Sequence, residues 1–326
     1  MYKPANMDIW QGRIDDEENS PAPRWHQKIQ AWDGSSDLNH NSTLLGFACD
    51  EGVSRNQGRI GARYGPSALR RAMANMAYFQ KNNALDAGDI LCEAQDLEQA
   101  QQQLANHVEN ILHHHGLPLV LGGGHEQAWG NFLGISQYVS KTQANQQIGI
   151  INFDAHFDLR NPLPQATSGT PFRQIASYCE HNQKNFNYLV FGINPTANTS
   201  ALFEFAKQHQ VIWHNDIHCT LSNIAKLETQ LQNFLPSIDA LYLTICLDVF
   251  AANLAPGVSA PSVIGIDPVV VIHLIKVIKT LCKTHGVKLM LADIAELNPN
   301  YDINAMTAKL AARLVHEIVN EQKMNT

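Results

Sequence analysis

The chain has 326 residues, 44% of them hydrophobic, and a formal net charge of −7. That composition suits one large α/β domain or two smaller ones with an ample buried core. The basic residues are scattered, which excludes the electrostatic footprint of a nucleic-acid binder, and no apolar run reaches the ~20 residues that span a bilayer.

The N-terminus leads into polar sequence without a signal-peptide apolar core. Cys49, Cys92, Cys179, Cys219, Cys246 and Cys282 include no CxxC pair. Reduced thiols in a cytoplasmic enzyme are therefore expected. The first forty residues are polar and proline-dotted, with an acidic run from Asp15 to Glu18 and a short helix expected near Trp25 to Ala31. They read as an extension packed on a single domain spanning 1–326. Thr43 to Cys49 reads as the first strand and Asp50 to Tyr64 as a loop. Gly65-Pro66-Ser67 opens a helix through Met76, with Pro66 in the first turn, where its missing N–H does no harm. Asp96 to His115 has the apolar spacing of an amphipathic helix. Its closing His113-His114-His115 reads as a solvated cluster suited to the helix dipole.

Leu117 to Leu121 then forms a strand, followed by Gly122-Gly123-Gly124, His125 and a helix to about Tyr138. Ile148 to Ile151 is the next strand. Tyr188 to Gly192 and Leu241 to Leu247 are further strands, separated by helical stretches at Ala201 to His209 and Leu221 to Phe234. A helix from Pro268 to His285, a strand from Val287 to Ala292 and a helix from Ile303 to Lys323 complete the chain. Strands alternate with helices throughout, without a linker-like break. The fold class expected is α/β: a mostly parallel sheet between helix layers.

Ligand-type side chains gather at strand ends. After Ile148 to Ile151 come Asp154, His156 and Asp158, alternating with Ala155 and Phe157. In an extended segment, side chains two apart share a face. Two carboxylates and an imidazole thus aim at one point at the carboxyl end of a strand, where open parallel sheets bind ligands. A polar strand end with one hydrogen-bonded histidine is the plainer alternative. His125 follows three glycines that permit a tight turn, and Cys246-Leu247-Asp248 repeats the i, i+2 spacing. Each of these alone reads as a cap or turn. Together they offer six candidate metal ligands: His125, Asp154, His156, Asp158, Cys246 and Asp248.

At these residues the chain resembles the arginase–agmatinase ureohydrolase family. The resemblance rests on Gly122 to His125, Asp154 to Asp158, Ser168-Gly169-Thr170-Pro171-Phe172-Arg173, Thr244 to Asp248 and Glu296-Leu297-Asn298-Pro299. It extends from about Leu44 to Leu310. Trp10-Gln11-Gly12-Arg13, Gly46 to Gly52 and Ala255 to Pro261 resemble the branch that hydrolyses N-formimidoyl-L-glutamate to L-glutamate and formamide in histidine degradation. The resemblance implies a three-layer α/β/α sandwich holding two Mn2+ ions. His125 and Asp158 would then serve the first ion, His156 and Asp248 the second, and Asp154 both. It also implies Asp158 as the donor of a proton to the departing amine and Glu296 as the holder of the amidine nitrogens. Trimers or hexamers are common in the family, so a homo-oligomer is expected, acting on a small acidic amidine.

Three departures from the family pattern bear on chemistry. Arg160 stands where arginase-like members have Asn. It is a candidate clamp for a substrate carboxylate, at about 1.5–3 kcal/mol for a charge-assisted hydrogen bond; a surface arginine paired with a nearby aspartate is the alternative. Ser168 stands where agmatinases have His. Cys246 replaces an Asp that bridges both metals, and a softer thiolate is expected to weaken occupancy of the second ion. A Cys49–Cys246 disulfide is a further possibility if the Cα atoms lie within roughly 7 Å. Arg173 and Asn194 are additional substrate-binding candidates, and Asn198 is a further polar group expected near the pocket. The competing readings are a guanidino-acid or agmatine hydrolase and a non-catalytic metal-binding homologue.

Overall fold

Ten strands form one sheet in the computed structural model, which describes residues 1–15, 22–81, 83–143 and 145–320. The elements in chain order begin with β1 (Tyr2–Lys3), α1 (Trp25–Lys28), β2 (Gln30–Ala31), β3 (Ser42–Ala48), α2 (Glu51–Arg55) and α3 (Gly65–Ala74). β4 (Leu85–Leu91), α4 (Leu97–His113), β5 (Leu117–Gly122), α5 (Gln127–Thr142) and β6 (Ile148–Phe153) follow. The second half holds α6 (Pro171–His181), β7 (Asn187–Ile193), α7 (Ser200–Gln208), β8 (Ile212–Asn215) and α8 (Ile224–Phe234). It closes with β9 (Ala240–Cys246), α9 (Pro268–His285), β10 (Lys288–Ala295) and α10 (Met306–Val319).

The strand order is β1-β4-β3-β5-β10-β9-β6-β7-β8, with β2 also on β4. Every pairing is parallel except β1 on β4. The middle strands β6 and β9 are buried along their whole length, as a parallel sheet covered on both faces requires. One face packs against α3, α8, α9 and α10, the other against α4 to α7, giving a three-layer α/β/α sandwich. The sequence of α9 shows why it forms. Asp267 caps its N-terminus by accepting from the Val269 N–H at 2.7 Å, Pro268 occupies the first turn, and Gly286 closes it at φ 70°. Val270, Val271, Leu274, Ile275 and Ile278 form its buried stripe, each worth about 1.5–3 kcal/mol of apolar burial.

The register decides where chemistry sits. Ala292 of β10 pairs with Leu119 of β5 and Leu243 of β9, and Ile151 of β6 pairs with Leu243. The carboxyl ends of β5, β10, β9 and β6 therefore stand side by side at mid-sheet. The chain leaves β5 for β6 across β10 and β9, which opens the crevice that such a reversal of strand order creates.

Several boundaries differ from the expectations. The helix at Trp25 stops at Lys28, and Gln30–Ala31 joins the sheet instead. The expected loop from Asp50 to Tyr64 contains α2 and a 3-10 turn at Ala62–Tyr64. The last helix starts at Met306, because Asn304 and Ala305 are left-handed (φ 51° and 56°). Its expected end at 321–323 lies outside the described residues, as do residues 16–18 of the acidic run. β4, β8 and α6 were not anticipated. β4 reads Leu-Asp-Ala-Gly-Asp-Ile-Leu, and Asp and Gly are depleted in strands. Arg70 makes that strand possible. It donates to Asp86 at 2.8 Å from both Nε and Nη2, and to Asp89 at 2.6 Å, while Trp10 Nε1 also donates to Asp86. The N-terminal residues thus belong to the edge of the sheet through β1, β2 and Trp10.

Candidate metal centre

Four strand ends build the centre. At β5, the Gly123 N–H donates to the Phe47 carbonyl at 2.8 Å, and a Cβ on Gly123 would lie 1.9 Å from the Cys49 carbonyl oxygen. Only glycine fits there, and the tight crossing drops His125 over the strand ends. Its Nδ1 lies 2.8 Å from Asp154 Oδ2 and 3.0 Å from Asp158 Oδ2. On the other side, Nε2 lies 2.9 Å from Thr244 Oγ1, which gives its single proton to Asp293 Oδ1 at 2.7 Å. Thr244 must therefore accept from His125 Nε2–H, which directs Nδ1 at the cluster. Asp293 is itself held by Asn131 and the Tyr242 hydroxyl.

Strand β6 ends at Phe153, so Asp154 to Asp158 converge through a bend and not through the extended alternation expected. Asp158 is left-handed at φ 51°. His156 Nδ1 lies 3.1 Å from Asp248 Oδ2 and 3.6 Å from Asp154 Oδ1. Asn198 locks this bend: it accepts from the Phe157 N–H at 3.0 Å and donates to the carbonyls of Ala155 and Asn194 at 2.9 Å. Strand β9 delivers Cys246, which is 1% exposed, and Asp248 follows on a 3-10 turn. Strand β10 continues into Glu296, left-handed at φ 69°. Glu296 Oε1 accepts the His125 N–H at 2.9 Å, and its Oε2 is buried with no hydrogen-bond partner. Two non-glycine residues in left-handed backbone beside one cluster are the kind of local strain found at functional sites.

The electrostatics of the cluster favour positive charge. Burial alone would lower the pKa of His125, but Asp154 and Asp158 outweigh it and push the imidazole well up. His156 is raised in the same way by Asp248 and Asp154 against burial. Burial and the Asp154 charge push Asp158 up to about 6. Asp154 is pulled down by His125 and His156 despite its burial. Burial, then Glu126 and Asp248, hold Glu296 well above the carboxylate range. The atoms fall into two groups, each with ligand atoms within 4.8 Å of one another: His125, Asp154 and Cys246, and Asp154, His156 and Asp248. His125 Nδ1 touches two carboxylates yet makes no directional hydrogen bond with either. Convergence of buried donors without mutual satisfaction is what a cation site looks like before the cation is considered, and imidazole with carboxylates suits manganese.

A cavity of about 300 Å³ opens above the cluster. His125, His156, Asp158, Cys246, Asp248 and Glu296 line its floor, and Arg160, Ser168, Asn198, Asn56 and Arg59 its walls. The Arg160 N–H donates to the Gly169 carbonyl at 2.9 Å, and its chain lies on Gly169, where a Cβ would stand 2.8 Å from Arg160 Cδ. No described residue pairs with its guanidinium, so the alternative of an aspartate-bound surface arginine does not apply. Arg173 and Asn194 stand apart. The Arg173 guanidinium sits 3.8 Å over the Phe205 ring, and Asn194 Oδ1 closes a turn onto Thr196. His113 and His115 pair with Glu109 and Asp37 at the surface. All six cysteines are free. Cys49 and Cys246 are separated by β5 and β10, three strand spacings or about 14 Å, too far for a disulfide. Cys49 instead donates to Glu126 Oε1 at 3.6 Å.

An arginase-family model matches residues 40–320. The chain belongs to the arginase family. As a member of it, the chain is 44% identical to the formimidoylglutamase of Aliivibrio fischeri, over 98% of this chain and 97% of the relative. It is 47% identical to that of Chromobacterium violaceum, over 95% and 96%. Among solved arginase-fold structures, formimidoylglutamase from Bacillus subtilis superposes with a TM-score of 0.77 at 21% identity, covering 94% of both chains. Trypanosoma cruzi formiminoglutamase with Mn2+ superposes at 0.75 and 24% identity, covering 92% of this chain and 98% of the other. The geometry also brings together residues whose roles the motifs do not show. Asn131, Thr244, Asp293 and Tyr242 form the buried network behind His125, and Glu126 ties the His125 loop to the Gly52 N–H at 2.9 Å. Glu126 follows the glycine–histidine motif directly, and Asp293 interrupts an apolar strand; both were available as signals.

Proposed function

We propose that this chain hydrolyses the C–N bond of N-formimidoyl-L-glutamate, releasing L-glutamate and formamide, with manganese as the resident ion. The observation that carries the reading is Arg160, a guanidinium without a partner among the described residues on the wall of a cavity floored by the candidate ligand cluster. A cluster of that kind handles an amidine carbon, and an unpaired arginine beside it handles an acid. The relatives at 43–47% identity named formimidoylglutamase support the same substrate.

His125, Asp154, Asp158 and Cys246 would hold one ion, and Asp154, His156 and Asp248 the other. What the ions supply when bound is a nucleophile from water near neutral pH and a counter-charge for the reacting centre. Thr244 and Asp293 hold the His125 ring so that Nδ1 faces inward. Glu296 Oε2 accepts an N–H of the formimidoyl group, while Oε1 stays on the His125 N–H. Arg160 holds a carboxylate of the glutamate portion, with Ser168 beside it, and so fixes the amidine carbon over the cluster. Water adds to that carbon, the bond to the glutamate nitrogen breaks, and Asp158 Oδ2 delivers a proton to the leaving amine.

No described helix is long and apolar enough to cross a membrane. The reading takes the chain as a cytoplasmic homo-oligomer, supported for the compartment by six free, buried thiols. Parallel measurement of formamide from N-formimidoyl-L-glutamate and of urea from agmatine and guanidino acids tests the assignment. Formamide with glutamate is expected; urea alone would overturn it.

A further inference from the structure

The two ligand groups share Asp154 but are not chemically alike. One offers only nitrogen and oxygen: Asp154, His156 and Asp248. The other joins the Cys246 sulfur to His125 and Asp154, with Asp158 Oδ2 3.0 Å from the same His125 nitrogen. The group itself is an S, N, O set of three, with Asp158 reaching it through His125. Around a tetrahedral zinc-class ion, with metal–sulfur near 2.3 Å and metal–nitrogen or –oxygen near 2.0–2.1 Å, ligand atoms stand about 3.4–3.6 Å apart. The 2.8–3.0 Å contacts of His125 Nδ1 and the 4.8 Å limit on the Cys246 group bracket that spacing.

The Cys246 thiol has no hydrogen-bond partner among the described residues and is 1% exposed. Its surroundings include the carboxylates Asp154 and Asp248, and an ion bonded to the sulfur takes it as thiolate. Thiolate favours zinc, iron(II) or cobalt(II) over manganese, which lies lowest in the divalent affinity order. A nitrogen-and-oxygen site follows the same order but lacks the added preference that sulfur gives, so a limiting zinc supply goes first to the sulfur-bearing group. This also revises the expectation from sequence: the sulfur falls in the His125 group, not in the group of His156 and Asp248.

We propose that Cys246 makes this a two-ion centre of unlike ions, with a thiophilic ion of the zinc class in the His125–Asp154–Cys246 group and manganese in the Asp154–His156–Asp248 group. The proposal deepens the assigned function and rests on it only for the premise of a metal-assisted reaction, since the test reads binding without substrate.

Reduced, chelator-stripped full-length protein is dialysed against equal, limiting Zn2+ and Mn2+ and its metal content measured. About one zinc and one manganese per chain are expected; manganese at both places without zinc overturns the proposal. Co2+ titration of the unaltered protein provides a readout independent of any variant. A thiolate-to-cobalt charge-transfer band saturating at one equivalent is expected, and its absence overturns the proposal. Cys246→Ser should abolish the band and lower zinc retention at least tenfold, and Cys246→Asp should raise the manganese share relative to the parent. Equal zinc retention in a folded Cys246→Ser protein would refute the assignment. A protein that binds unlike ions yet releases no formamide would sink the substrate reading and leave this one intact.

Discussion

Removing Arg160 tests the substrate assignment without touching the ligand cluster. In Arg160→Ala the carboxylate partner is lost, and a charge-assisted hydrogen bond of about 1.5–3 kcal/mol goes with it. The side chain is exposed, so solvent screening places the loss toward the lower end. At about 1.4 kcal/mol per decade, the full range corresponds to about a 10- to 150-fold fall in kcat/KM, with the smaller value favoured. The interaction is equally present before and during bond cleavage, so the fall should appear mainly in KM. Arg160→Lys keeps the charge but loses the planar fork, and should recover only part of the loss. The assay is initial-rate formamide release across substrate concentration, with an uncharged formimidoyl amine for comparison. That neutral amine should be turned over equally by Arg160→Ala and the parent. A change of less than twofold on the acidic substrate would refute the role of Arg160.

Three further outcomes follow from the same geometry. Arg70→Ala strands Asp86, fully buried, without its cation; a loss of about 3–5 kcal/mol is expected, measured by urea unfolding, and a loss under 1 kcal/mol would contradict the account of β4. Gly123→Ala places a methyl 1.9 Å from the Cys49 carbonyl and should cost about 1–3 kcal/mol from overpacking, with metal affinity falling alongside; a variant of unchanged stability would show that the strand crossing tolerates a side chain. Burial holds the Glu126 carboxyl up at about 7, above an unfolded value of about 4.3. The folded chain therefore keeps a proton that the unfolded chain loses, and this group's stability contribution is present below about pH 4.3 and lost as pH rises through 7. Glu126→Gln should remove that loss in metal-free protein, so melting curves of parent and variant should diverge between pH 4.5 and 7; parallel curves would contradict it.

The cluster was legible because its residue types are costly at the ends of buried strands unless they are used. Asp154, His156, Asp158 and Asp248 have no plain structural purpose there, and three glycines before His125 signal a forced crossing. Alternation was the wrong reason for their convergence, since the strand ends at Phe153 and the bend held by Asn198 brings them together. β4 was illegible because its two aspartates are neutralised by Arg70 from another helix, which local propensity cannot register. Arg173 and Asn194 were misplaced for a related reason. Their polar groups are engaged by Phe205 and Thr196, while Arg160 beside Gly169 is left unengaged. The distance from Cys49 to Cys246 required the strand order, which no spacing along the chain contains.

The central claim is that a cation-loaded cluster beneath Arg160 cleaves an acidic amidine. The most direct measurement is formamide and glutamate release from N-formimidoyl-L-glutamate by reduced protein, first stripped by chelator and then restored with Mn2+ and Zn2+ together. The account predicts negligible release after stripping and equimolar formamide and glutamate after restoration. Release that persists undiminished in the stripped protein, or none in the restored one, would contradict it.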